Sequence, residues 1–147
     1  MFAHSRFTAV SRVLVVGTVF ALVSACAPVA QKPEKASFII QVSDNDPAKW
    51  NLALNNAKNV QTDLGKDKTD IEIVAYGPGL NMLKFDSQVA NRIQEAQVAG
   101  VKVMACGNTM KGQKVTQEDL VPGIGVVKAG VLEIGDKQQQ GWSYIRP

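Results

Sequence analysis

Cys106, in the stretch VMACGNTMKG (103–112), is the residue whose chemistry poses the question for this chain. A thiol attacks as its thiolate, so the free-cysteine pKa of about 8.5 must fall before it is mostly ionised at neutral pH. Histidine is the usual helper, but the only one, His4, lies in an N-terminal segment with the layout of a secretory signal. Without it there is no Ser-His-Asp triad, no Cys-His dyad and no zinc site built on imidazole, and the sequence points to no metal and no cofactor. Amide or ester cleavage needs a proton delivered to a poor leaving group, and no imidazole is present to deliver it. Attack on sulfur expels another thiolate, which needs little acid help, so sulfur exchange is the reaction that fits a lone thiol here.

Such a cysteine can be ionised by backbone dipoles instead. At the end of a strand, Cys106 would face the amides of Gly107, Asn108 and Thr109. Amides of this kind favour a nearby negative charge by roughly 0.3–1 kcal/mol when exposed and by up to about 2 when partly buried. Gly107 would admit an incoming sulfur compound, and Asn108 and Thr109 would hydrogen-bond its tail. The opposite reading stays open: free cysteine is among the most buried residue types and packs as a small hydrophobe. Sequence does not separate a thiol on a loop edge from one filling a pocket.

The segment MFAHSRFTAVSR carries Arg6 and Arg12 without an acid and leads into the apolar run 13–23, too short for a spanning helix. The run closes on Val23-Ser24-Ala25-Cys26, which is similar to a bacterial lipobox, with valine where leucine is commoner. Ordinary cleavage after Ala27 would put Pro28 just past the scissile bond, a poor arrangement. A soluble or uncleaved form would leave Cys26 as a second thiol able to pair with Cys106. The expectation is a signal over 1–25, lipid on Cys26, a flexible tether over 26–36 and one α/β domain over 37–147. That places the protein in the periplasm, held to a membrane by its lipid. Ala27, rather than aspartate, after the lipid site points to the outer membrane. Without the signal, fourteen basic residues face thirteen acidic ones, a net charge of +1 and no nucleic-acid footprint.

Five strands alternating with four helices must position the thiol. SFIIQVS (37–43) reads as a buried strand. Asp46 then caps a helix with Pro47 in its first turn and Trp50, Ala53, Leu54, Ala57, Val60 and Leu64 on one face, until Gly65. DIEIVAYGPGL (70–80) holds a second strand and a loop with Tyr76, Gly77 and Gly79. A helix capped at Asp86 follows, then a strand over 101–106 that Gly107, Asn108 and Thr109 break. A short helix is expected over 115–120 with Thr116 as cap, a fourth strand over 123–130, a weaker helix over 131–141 interrupted by Gly135, and a last strand over 142–147. Met82 and Phe85 should cover the core, and Trp142 and Tyr144 should share one face of the last strand. The expected fold class is α/β, a doubly wound, mainly parallel sheet of about five strands with helices on both faces. Ligands in such sheets sit beyond the carboxyl ends of the strands, where Asp44, the Tyr76 loop and Cys106 to Thr109 fall. Asp44 can face a ligand there. Gly77 and Gly79 either let a backbone approach one or serve the turn.

In order and spacing, VAYGPGLNML, GVKVMACGNTM, EDL and GVVKAGVLEIGDKQQQGWSYIRP resemble the DsrE/DsrF-like family, over the whole span 37–147. The closing Gln-x-x-Gly-Trp-x-Tyr-Ile-x-Pro string is the most specific piece. The resemblance implies a doubly wound sheet, a homo-oligomer of the trimer or hexamer kind, and a relay in which sulfur travels as a cysteine persulfide between donor and acceptor proteins. It also implies that the reactive cysteine follows the third strand, where Cys106 stands. Those relay relatives are cytoplasmic, whereas this chain carries an export signal. The alternative within the same fold is a non-catalytic oligomeric binding or scaffold module.

Overall fold

The computed structural model describes residues 35–147. The expected signal, the lipidation site Cys26 and nearly all of the tether lie outside the described residues.

Five strands form one fully parallel sheet: β1 (Ala36–Val42), β2 (Thr69–Ala75), β3 (Lys102–Cys106), β4 (Gly125–Val127) and β5 (Ser143–Ile145), in spatial order β4-β3-β2-β1-β5. Four α-helices connect them: α1 (Pro47–Leu64), α2 (Ala90–Val98), α3 (Gly107–Gln113) and α4 (Gly130–Gln139). From β1 to β4 the chain steps to one edge, and the connection through α4 then returns to the far side of β1. The winding therefore reverses at β1, and the fold is the doubly wound α/β class.

The longest helix follows from its ends and its stripe. Asp46 accepts from the Ala48 amide at 2.8 Å, Pro47 occupies the first turn, and Gly65 leaves the helix at φ 93°. Between them Trp50, Ala53, Leu54 and Ala57 are buried, as the 3.6-residue spacing predicts. They pack with α2 residue Ile93 on Ile40, Val42, Ile71, Ile73, Ala75, Val103 and Ala105, which alternate along β1 to β3 and make the larger core. The opposite face is thin. Its hydrophobic cluster has three buried members, Ile39, Val74 and Ile134 of α4, with Tyr76, Met104, Val127 and Trp142 packed around them.

Several local expectations are corrected. Gly107, Asn108 and Thr109 are not a loop; they form the first turn of α3. Residues 115–120 are not a helix. The Thr116 amide and hydroxyl both donate to the Asp119 carboxylate, at 2.7 and 3.0 Å, as a cap would. The chain nevertheless makes only a turn, with the Leu120 amide donating to the Gln117 carbonyl, because the Phe85 amide donates to the Asp119 carbonyl and the Val121 amide to the Leu83 carbonyl. Pro122 also disfavours helical backbone at Val121. Helix α2 begins at Ala90, and Asp86 lies too far ahead to cap it; the Ser87 hydroxyl accepts from the Val89 amide instead. Met82 is fully buried as expected, but Phe85 is 64% exposed, because the bridge between Lys84 and Leu120 turns it outward.

Candidate functional site

Cys106 ends β3 and is at the same time the residue that caps α3. Its alternation with Met104 puts the side chain on the thin face of the sheet, beneath the start of α4. The residue is 5% exposed. It is the one free cysteine among the described residues.

Its surroundings are polar in spite of that burial. Burial pushes the thiol pKa up. Against it act the Thr109 hydroxyl and the amides of Gly130, Thr109 and Asn108, and together they hold the thiol below its ordinary value. The thiol makes no close capping hydrogen bond, so these groups act as dipoles aimed at a sulfur anion. The Asn108 amide also donates to the Lys128 carbonyl at 3.2 Å, so the sulfur shares it with that acceptor.

Two helix starts converge on the sulfur. The residue before α4 is Ala129, whose side chain offers no cap, so the Gly130 amide has no acceptor from its own helix end and is left to the thiol. Gly130 can come this close because it lacks a side chain: a Cβ there would lie 3.1 Å from Val74 Cγ1 and 3.2 Å from Tyr76 Cβ. Gly107 is similarly hemmed in, with a Cβ falling 3.1 Å from the Val127 carbonyl oxygen.

Thr109 links the thiol to the segment after β2, which is a 3-10 helix over Gly77–Leu83 and not the loop expected from the sequence. Its hydroxyl oxygen accepts from the Gly77 amide at 3.0 Å, which leaves the hydroxyl hydrogen for the sulfur. The Gly77 carbonyl accepts from Gln113 Nε2 at 3.0 Å, so α3 holds Gly77 at both its amide and its carbonyl. Gly77 itself has φ 54°, where a glycine is the easiest fit.

The other residues picked from sequence fall in different places. Tyr76 is half-buried against Gly130. Gly79 serves packing: a Cβ there would meet the Val42 carbonyl oxygen at 2.4 Å. Asp44 is not brought to the thiol. It follows β1, two strands away from β3, and is held by Lys49 at 3.0 Å and by Arg146 at 4.0 Å. Sequence reasoning missed Gly130, although a glycine opening an apolar helix beside a strand end was a usable sign of close backbone approach. It also passed over Glu72, a carboxylate inside the apolar strand DIEIVA. Among the described residues, no three His, Cys, Asp or Glu side chains converge as a metal site, and no helix is long and apolar enough to cross a membrane.

The DsrE/DsrF-like family profile matches residues 35–147, the whole of the described domain. The chain belongs to the DsrE/DsrF-like family. A solved protein of unknown function from Methanobacterium thermoautotrophicum is 34% identical, with 77% of this chain and 100% of that one covered and a TM-score of 0.73. Two more distant structures share the fold. One is a conserved protein of unknown function from Bacteroides thetaiotaomicron, 18% identical over 76% of this chain and 94% of that one, TM-score 0.63. The other is the ychN protein of E. coli, 10% identical over 78% of this chain and 99% of that one, TM-score 0.62. No curated protein matches the chain. Family membership thus accounts for the parallel sheet and its winding.

Proposed function

We propose that this DsrE/DsrF-like protein is a sulfur carrier of the sulfurtransferase type, with Cys106 holding the sulfur as a persulfide. What supports this reading is a single observation: a thiol almost closed off from solvent whose pKa is nonetheless lowered, because backbone amides and the Thr109 hydroxyl converge on it. A packing cysteine has no use for such surroundings. In the forward step the Cys106 thiolate attacks the outer sulfur of a donor persulfide. The donor's S–S bond breaks, its thiolate leaves with the electron pair, and the sulfur and its proton remain on Cys106. An acceptor thiolate reverses the exchange, and no outside oxidant or reductant is needed. Gly107 and Asn108, which follow Cys106, and Tyr76, which packs against Gly130, would contact the incoming compound, while Gly77 acts through Thr109.

The test is to incubate the protein with a persulfide donor and weigh it. Gain of one sulfur atom by the parent and none by Cys106→Ser is the expected result; no gain in either removes the reading.

The second reading, a non-catalytic oligomeric binding or scaffold module, is favoured by the 5% exposure of Cys106. It requires that Cys106→Ala leave the cellular role intact while loss of the oligomer abolishes it. In either reading we place the protein in the periplasm, anchored by lipid on Cys26, at the outer membrane, and assembled as a trimer or hexamer.

A further inference from the structure

Helix α4 brings the Gly130 amide to the sulfur, yet little apolar packing holds that helix down. Its buried residues are Gly130 and Ile134 alone, over a face whose buried core is three side chains. What else fastens it is charge. Glu72, in the middle of β2, points to this face and is 2% exposed. Its Oε2 lies 3.1 Å from Lys137 Nζ, two turns along α4 from Gly130. Lys137 is confined in turn, 3.6 Å from the Glu133 carboxylate and 4.2 Å from the centre of the Trp142 ring.

We infer that Glu72 and Lys137 are positioning residues for Cys106: their ion pair fastens α4 to β2 and so keeps the Gly130 amide against the sulfur. The inference rests on reading Cys106 as an ionising thiol. A buried ion pair is poor evidence of stabilisation, but it specifies one arrangement sharply, because either charge left alone at that depth is unfavourable. Glu72 makes the specification one-sided. Its Oε1 has no donor among the described residues, so Lys137 is its only close counter-charge. The other charged groups facing it are Glu133 on α4 and Lys102, its register partner on β3, which is exposed. β1 presents Ile39 at that level. Helix α4 then acts as a rod. A hold at Lys137 fixes the helix start about 10 Å away, at 1.5 Å per residue.

The experiment is site-resolved alkylation of Cys106 by iodoacetamide across pH, read by mass spectrometry on the full chain. It compares the parent with Glu72→Gln, Lys137→Met, Lys137→Arg and the Glu72→Gln/Lys137→Met double variant. In the parent, the midpoint should lie below that of free cysteine. Glu72→Gln and Lys137→Met should each raise it, slowing labelling on the rising limb by roughly two- to fivefold, the range of one helix-end dipole. The double variant should be no slower than either single one, and Lys137→Arg should keep the parent profile. Hydrogen exchange at the Gly130 amide should quicken in the same two single variants. A parent midpoint equal to that of free cysteine overturns the ionising thiol itself. A low parent midpoint left unmoved in folded Lys137→Met and Glu72→Gln overturns only the positioning role.

Discussion

Thr109 is the side chain on which the acidity of Cys106 most depends, since its hydroxyl heads the groups that lower the thiol pKa against burial. Thr109→Val keeps the shape, removes that donor and leaves the Gly77 amide without its acceptor. The alkylation midpoint should therefore rise, slowing labelling below it by roughly two- to fivefold, the range of one helix-end dipole. Labelling depends on the thiolate, so the loss of rate should be seen below the new midpoint and vanish well above it. An unchanged profile would mean that backbone amides alone set the acidity. The sequence showed that a thiol and a hydroxyl stand three residues apart. It did not show that helix α3 starts at Gly107 and swings Thr109 inward to the sulfur, because capping by a cysteine has no strong local signature.

Among the elements, the turn after β2 and the strand β2 itself carry the clearest tests. Gly79→Ala would put a methyl 2.4 Å from the Val42 carbonyl oxygen and 2.7 Å from its carbon, both backbone atoms that cannot rotate away. Denaturant unfolding should show a loss of about 3 kcal/mol. Glu72 makes a different prediction. Burial raises its pKa, and Lys137 offsets that only in part. A raised carboxyl pKa means that folding favours the protonated form. Its contribution to stability is full below the ordinary glutamate range and is lost as pH rises through the folded value. Thermal unfolding of Glu72→Gln should therefore gain on the parent as pH rises through that window, and the two should converge in acid. The same substitution is expected to make the thiol less acidic, which separates positioning from stability. Helix α1 was legible down to its cap because cap, proline and stripe are all local. The 115–120 stretch was misread because its fate is set by Leu83 and Lys84, more than thirty residues earlier.

For the molecule as a whole, the uneven covering of the sheet is the dominant fact. One face carries the larger core; the other has α4 alone, and that helix shows Val131 and Leu132 to solvent, Leu132 at 59%. The proposed oligomer would bury such a surface. Light scattering should find Leu132→Asp in a smaller species than the parent, with the domain still folded. If the parent is itself a monomer at micromolar concentration, the assembly proposal fails. Lipid anchoring has its own test at this scale: Cys26→Ser should move the protein from the membrane fraction to the soluble periplasmic one.

From the sequence alone came the alternation of strands and helices, the α/β class, the single thiol of the domain and the lack of any histidine beside it. All of these are written in composition and in periods of two and 3.6 residues, which local sterics and burial impose within one element. Only the tertiary structure decided that Gly130 reaches the sulfur from 24 positions later, and that Glu72 meets Lys137 across 65. Those meetings depend on which strands become neighbours and on which face α4 lies. Contact between distant segments leaves no periodic trace in either one.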